Sequence, residues 1–266
     1  MRDYGFVEGL QELSAYIFGD GNVPFIPYQE DGNWEPFLPK YETQRDNFET
    51  FCCTVFGTLN CIETLYKRLY EEEPNYSDRF TALLSGLTGT GGTDPQIPCE
   101  AIRHEGLVHQ SVMPMERTRE RFFDMNDLTD SIRAKGQNWL YTHDFMHEWI
   151  WRGARPENYK ELMKKALKTS PLGVSVSAWR EEDGVYVSDK GGNNHWCEAF
   201  KVADYKMYKD CVYVFDTYEH NIKILHPDHN IRRAKRFHLQ KKTPRAMRKH
   251  ISILQMIVDF LTQKKR

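Results

Sequence analysis

No charged segment followed by an apolar one opens this 266-residue chain; Met1-Arg2-Asp3-Tyr4-Gly5 runs into mixed sequence with Glu8 and Glu12, which argues against Sec export. No apolar run reaches the length of a membrane span, and the longest candidate, Ile251 to Leu261, is interrupted by Ser252, Gln255 and Asp259. Cysteine is scarce. The six residues, Cys52, Cys53, Cys61, Cys99, Cys197 and Cys211, include no Cys-x-x-Cys pair, and adjacent cysteines rarely bridge each other. Reduced thiols in a cytoplasmic or virion-associated protein are therefore expected. The glycine runs Gly89-Thr90-Gly91-Gly92 and Gly191-Gly192 lack a following Lys-Ser/Thr, which excludes a phosphate-binding loop. His143-Asp144-Phe145-Met146-His147 would put two histidines one helical turn apart, a zinc-binding geometry, but Asp stands where zinc hydrolases carry Glu. A solvated helix face is the better reading, and no metal site is expected.

Net charge is nearly absent at −2, yet it is unevenly spread. From Ile231 onward twelve Lys/Arg face a single acid, Asp259, on an otherwise acidic chain. Packing or self-association through this tail is expected rather than nucleic-acid binding, because no recognition motif accompanies it. Residues 1–33 read as an arm, with a short helix-like piece from Val7 to Phe18. Helical patterning follows from Thr50 to about Tyr70, from Tyr76 to Leu84 and from Pro95 to His104. The stretch Glu116 to Lys168 reads as mostly polar-helical. From Gly173 the period changes to two: Val174-Val176-Ala178, Val185-Val187, Cys197-Ala199 and Val212-Val214 predict antiparallel strands. His226-Pro227-Asp228-His229 reads as a turn. Thr243-Pro244 would start a final helix with an apolar stripe through Met247, Ile251, Leu254, Val258 and Leu261. Helices first and strands second define an α+β chain with a cleft between two lobes.

Against this background Cys53 stands at a junction. The polar run Gln44-Arg45-Asp46-Asn47 precedes it, and a helical stripe through Val55, Phe56, Leu59, Ile62, Leu65 and Leu69 follows. A helix N-terminus beside an imidazolium is where a thiol most readily becomes the reactive thiolate. Cys52 is its competitor, pointing about 100° away on such a helix; Cys61 is accounted for by core packing. His195 lies in a strand context shortly before Asp216, which would either orient the imidazole or serve as a turn residue. Tyr218 would shield that pair from water or simply pack in the core.

These segments resemble the papain-like cysteine peptidases. Cys53, Phe56, Gly57, Ile62 and Glu63 hold the family's offsets from its nucleophile, and 142 residues separate Cys53 from His195. Asp216-Thr217-Tyr218 matches the family's Asn-Ser-Trp run with a carboxylate in place of the amide. Two departures stand out: the oxyanion-hole Gln normally lies six residues before the nucleophile, whereas Gln44 lies nine before Cys53, and the Gln-Gly-x-Cys-Gly-Ser-Cys run is absent. The resemblance spans about residues 36 to 239, and the Trp34-x-x-Phe37-Leu38-Pro39 and Phe48-Glu49-Thr50 segments look like proteins of this family from bacteriophages and uncultivated bacteria, without a prosegment. It implies a two-lobed papain-like fold over 34–242, with a helical lobe over about 34–170, a β-rich lobe over about 171–242 and an extra basic helix over 243–266. It further implies a peptidase acting through Cys53, His195 and Asp216 and a thioester, with Gln44 as oxyanion donor and Gly91, Gly92 and Trp196 as substrate-binding residues. No metal or organic cofactor is implied. Partners would be a peptide or protein substrate, and a second copy or a virion component through the C-terminal helix. Two other readings share these residues: an inactive virion or binding protein on the same fold, and a thiol amidase or transglutaminase.

Overall fold

The structure, a computed structural model, describes residues 6–9, 15–189, 194–218 and 221–242. After the arm and a 3-10 turn at Glu35–Phe37 come α1 (Cys53–Tyr70), α2 (Asp78–Leu84), α3 (Gln96–Glu105), α4 (Arg119–Phe122) and α5 (Asp130–Thr142). Strand β1 (His143–Trp149) and α6 (Tyr159–Leu167) lead into β2 (Leu172–Ser177), β3 (Trp179–Glu182), β4 (Val185–Ser188) and β5 (Asn194–Tyr205). The order closes with β6 (Tyr208–Phe215), β7 (Ile222–Leu225) and β8 (Ile231–Lys241). The eight strands among the described residues form one sheet, ordered β1-β8-β2-β5-β6-β7-β4-β3, with β4 and β7 parallel at Tyr186 and Leu225 and every other pairing antiparallel.

Helix α1 packs chiefly on β5 and also on β2 and β8. Every residue from Cys53 to Tyr66 is buried, polar Thr54, Thr58, Asn60, Glu63 and Thr64 included, so α1 is enclosed on all sides rather than along one stripe. Its approach to β5 is set at Gly57. A Cβ there would lie 2.9 Å from Trp196 Cδ1 and 3.1 Å from the Cys197 Cα, closer than packed atoms tolerate. The helix ends in a left-handed Glu71 with φ 57°.

Several expectations need correction. Residues 143–149 form a strand, so His143 and His147 lie about 13 Å apart along it rather than one helical turn apart. Both are buried: His143 stacks on Trp139 with ring centroids 4.7 Å apart, and Lys235 donates to His147 Nδ1 at 3.0 Å. The helix expected from Val7 to Phe18 lies in part outside the described residues; among those described, Val7 N–H donates to the Thr93 carbonyl and Ile17 bridges Trp149 in extended pairing. The basic segment from Ile231 begins as strand β8, which lies between β1 and β2 with Lys235 and Arg236 buried. Arg236 pairs with its register partner Glu148 on β1 and donates to the carbonyls of Val23 and Pro24 at 2.9 and 3.1 Å. The expected helix over 243–266 lies outside the described residues. Residues 226–229 do turn, closed by His229 N to His226 O at 2.8 Å.

Glu198 on β5 is fully buried and has no cationic partner among the described residues. Burial raises its carboxyl to about 8, opposed only by a hydrogen bond from Thr64. An unfolded Glu titrates at about 4.3, so between these values the folded chain holds a proton that the unfolded chain has released. Stability from this group is therefore full below about 4.3, falls as pH rises through the window, and levels off above about 8, a loss on the order of 5 kcal/mol. Glu198→Gln removes that loss. Thermal melts followed by circular dichroism should give the variant a Tm advantage that widens from about pH 5 to about pH 8; parallel curves would show that Glu198 does not carry the effect.

Candidate active site

The chain enters α1 through a constrained corner. Phe51 has φ 57°, a left-handed conformation that costs a bulky residue energy and is retained where the surroundings impose it. Its N–H donates to Glu49 Oε1 at 3.1 Å, and Cys52 N–H donates to Thr50 Oγ1 at 3.3 Å. Cys52 is then the N-cap and Cys53 the first helical residue. The two thiols diverge. Cys52 Sγ bonds to the Thr50 carbonyl at 3.3 Å and joins the main core, whereas Cys53 packs with Phe6, Trp149 and Trp196 and hydrogen-bonds the Trp196 backbone. Burial pushes the Cys53 thiol well above its ordinary range; the Trp196 contact opposes this, and Cys52, Asp216 and Glu49 add to it. In this closed arrangement the thiol is protonated.

His195 lies near the start of β5, and Asp216 follows directly on β6, the next strand in the sheet. His195 Nε2 meets Asp216 Oδ1 at 2.6 Å, with both side chains fully buried. With its proton held on Nε2 by the carboxylate, the imidazole has Nδ1 as its basic nitrogen. Asp216 Oδ1 also accepts from Thr217 N–H at 2.8 Å, while Oδ2 accepts from Lys223 Nζ at 2.6 Å. Burial would raise the Asp216 carboxyl, but His195 and Lys223 outweigh it and hold the group below its ordinary value. Two aromatic rings enclose the imidazole, Tyr218 at 5.5 Å and Trp179 at 5.4 Å between centroids.

Gln44 is brought to this cluster, although nine residues precede Cys53. Its backbone N–H donates to the Thr217 carbonyl at 3.1 Å, and its Oε1 accepts from Thr217 Oγ1 at 2.8 Å. Its amide nitrogen donates to Glu49 Oε1 at 3.0 Å and to the Tyr218 hydroxyl at 2.8 Å, and that hydroxyl donates to Glu49 Oε2 at 2.9 Å. Gly91 and Gly92 lie half-buried in the loop leading to Thr93, whose carbonyl accepts from Val7 N–H at 3.1 Å. Trp196 is fully buried, and Phe6 stacks on it with centroids 6.2 Å apart. Phe6 of the arm thus packs in one cluster with Trp196, Trp149 and Cys53. Lys223, Glu49 and Trp179 escaped the sequence reading. The signal for Lys223 was a lone cation among Ile222, Ile224 and Leu225, on a strand where Ile222 faces solvent and Lys223 the interior.

No family model and no curated protein matches the sequence. Solved structures do match. Xylellain, a cysteine protease from Xylella fastidiosa, superposes with a TM-score of 0.57 at 14% identity, over 90% of this chain and 96% of that one. The cathepsin B S9 proenzyme from Trypanosoma congolense gives 0.58 at 13% identity, over 86% of each chain. The ragweed pollen cysteine protease Amb a 11, in its proform, gives 0.55 at 13% identity over 82% of this chain and 67% of that one. Identities this low speak to architecture alone, and the architecture agrees with the α+β reading: the chain has the papain-like cysteine protease fold.

Proposed function

We propose that the protein is a papain-like cysteine peptidase in which Cys53 is the nucleophile, His195 the proton carrier and Asp216 the group that orients it. The observation that carries this reading is the buried 2.6 Å bond between His195 and Asp216, formed one residue from the Trp196 backbone that holds the Cys53 thiol at the start of α1. His195 takes the thiol proton on Nδ1, and the thiolate attacks the peptide carbonyl. The imidazolium then protonates the leaving amine, and water, deprotonated by His195, cleaves the thioester to release the acid and restore the thiol. The first-turn N–H of Cys53 and the Gln44 amide are the proposed oxyanion donors, the latter on release from Glu49 or Tyr218.

Reaction requires the cluster of Phe6, Trp149 and Trp196 over Cys53 to part. Once the thiol is hydrated the burial penalty falls, and the α1 N-terminus and the imidazolium both favour the thiolate. Peptides or proteins are the proposed substrates, with water as the acyl acceptor; an amine acceptor would use the same thioester. The Trp34–Pro39 and Phe48–Thr50 resemblance supports a phage or uncultivated bacterial setting, and residues 243–266 are proposed as the association segment. The complete burial of Cys53 and His195 favours one other reading, a papain-like fold retained for a virion or binding role without turnover.

Intact-mass analysis after treatment with a papain-class epoxide should give one adduct, mapped to Cys53. Cys53→Ala should abolish both the adduct and hydrolysis while Cys52→Ala retains them, and His195→Ala should lower kcat/KM by about 10³-fold or more, with EDTA near neutral. Loss of the adduct in the Cys52 variant alone would reverse the assignment. Phe6→Ala should label severalfold faster than the native chain, because it opens the cover over Cys53. A folded Phe6→Ala variant that stays unlabelled would favour the non-catalytic reading.

A further inference from the structure

The third position of the proposed triad carries a full negative charge where the resembling family carries a neutral amide. In a fully buried site that difference is large, because an unpaired carboxylate is costly to bury and strongly favours a protonated imidazole beside it. Lys223 answers the charge directly. Its Nζ lies 2.6 Å from Asp216 Oδ2, on the far side of the carboxylate from His195, and its side chain is 4% exposed. The ammonium also lies 5.0 Å from the Trp179 ring centroid and 5.6 Å from that of Tyr186, and Trp179 is the ring that packs edge-on against His195. Strand β7 gives up an apolar position to place it: Ile222 is 44% exposed while Lys223, its neighbour, points inward opposite Val214.

The geometry points to Lys223 as a positioning residue: we propose that Asp216 and Lys223 act together as a net-neutral substitute for an amide, holding the His195 ring without over-stabilising its protonated form. This rests on the catalytic reading of Cys53 and His195. The carboxylate retains the acceptor that fixes Nε2–H, and the ammonium cancels its field at the ring. His195 then remains a base toward Cys53 and, once protonated, an acid strong enough to release its proton to the leaving amine.

The other groups facing this site leave the balance to that pair. Tyr218 and Tyr186 are raised by burial and stay neutral at physiological pH. His229, 6.2 Å from Trp179 between centroids, is lowered by burial to about 4 and is neutral there as well. Cys53 and Cys197 are raised by burial and protonated. Glu49 is the remaining carboxyl group, and the Tyr218 hydroxyl and the Gln44 amide both donate to its oxygens.

The test is a 15N NMR titration of the His195 ring in the full chain, run beside the pH profile of Cys53 alkylation by iodoacetamide. Lys223→Met should displace the His195 titration to higher pH and carry the alkylation profile with it, and Lys223→Arg should return both toward the native curves. Asp216→Asn/Lys223→Met, which removes both charges and leaves an amide, should titrate close to the native chain. That comparison still decides the matter if Lys223→Met alone fails to fold. An unmoved His195 titration in folded Lys223→Met, or a large shift in the double variant, overturns the proposal and leaves Lys223 as packing only. The catalytic reading fails separately, if His195→Ala leaves the Cys53 alkylation profile unchanged while the ring titrations behave as stated.

Discussion

The contact between α1 and β5 at Gly57 governs the molecule. Because no side chain intervenes, the helix backbone comes down onto Trp196 and Cys197, and the first turn of α1 is carried to the part of β5 that holds His195. A bulkier residue at Gly57 would hold the helix off the sheet and separate the Cys53 thiol from the Trp196 backbone. The proposed chemistry therefore depends on a packing distance one helical turn away from the nucleophile. The enclosure of α1 serves the same end, since a helix buried on every side cannot rock to relieve strain at its start.

Around that contact the site is assembled from polar groups that satisfy one another. Asp216 accepts from His195, Thr217 and Lys223, and Gln44 and Glu49 tie the approach to α1 to the residues that follow Asp216. Such a network fixes ring and carboxylate orientation because each member would be costly to bury alone. The left-handed Phe51 belongs to it, since the turn lets its N–H reach Glu49 two residues back.

Much of this was legible in the sequence, and for physical reasons. Period-two apolar runs marked β2, β4, β5 and β6, and helical patterning from Tyr76 to Leu84 marked α2. The Cys53 segment could be placed because fixed offsets along a helix leave one register. Strands β1 and β8 were hidden because their interior positions carry charge: Glu148, Lys235 and Arg236 are buried through pairing, which no hydrophobicity pattern reports. The two histidines of β1 shared a spacing of four that suits a helix as well as a strand. Lys223 was missed for a related reason, as a cation between isoleucines reads as the solvent side of an edge strand. The link from Gln44 to Thr217 spans 173 residues and leaves no local trace.

The pairing of Arg236 with Glu148 has a bearing on the order in which the chain assembles. These residues face each other across β1 and β8, which lie 88 positions apart in sequence, so the ion pair exists only after both strands are in register. The same guanidinium supplies the donors for the Val23 and Pro24 carbonyls, and Trp149, next to Glu148, exchanges backbone hydrogen bonds with Tyr16 and Phe18. The carbonyls of Val23 and Pro24 thus find their donor only once β1 and β8 are paired, a contact of long sequence separation. Separation of β1 from β8 would therefore loosen the arm as well, at Val23 and Pro24 through Arg236 and at Tyr16 and Phe18 through Trp149.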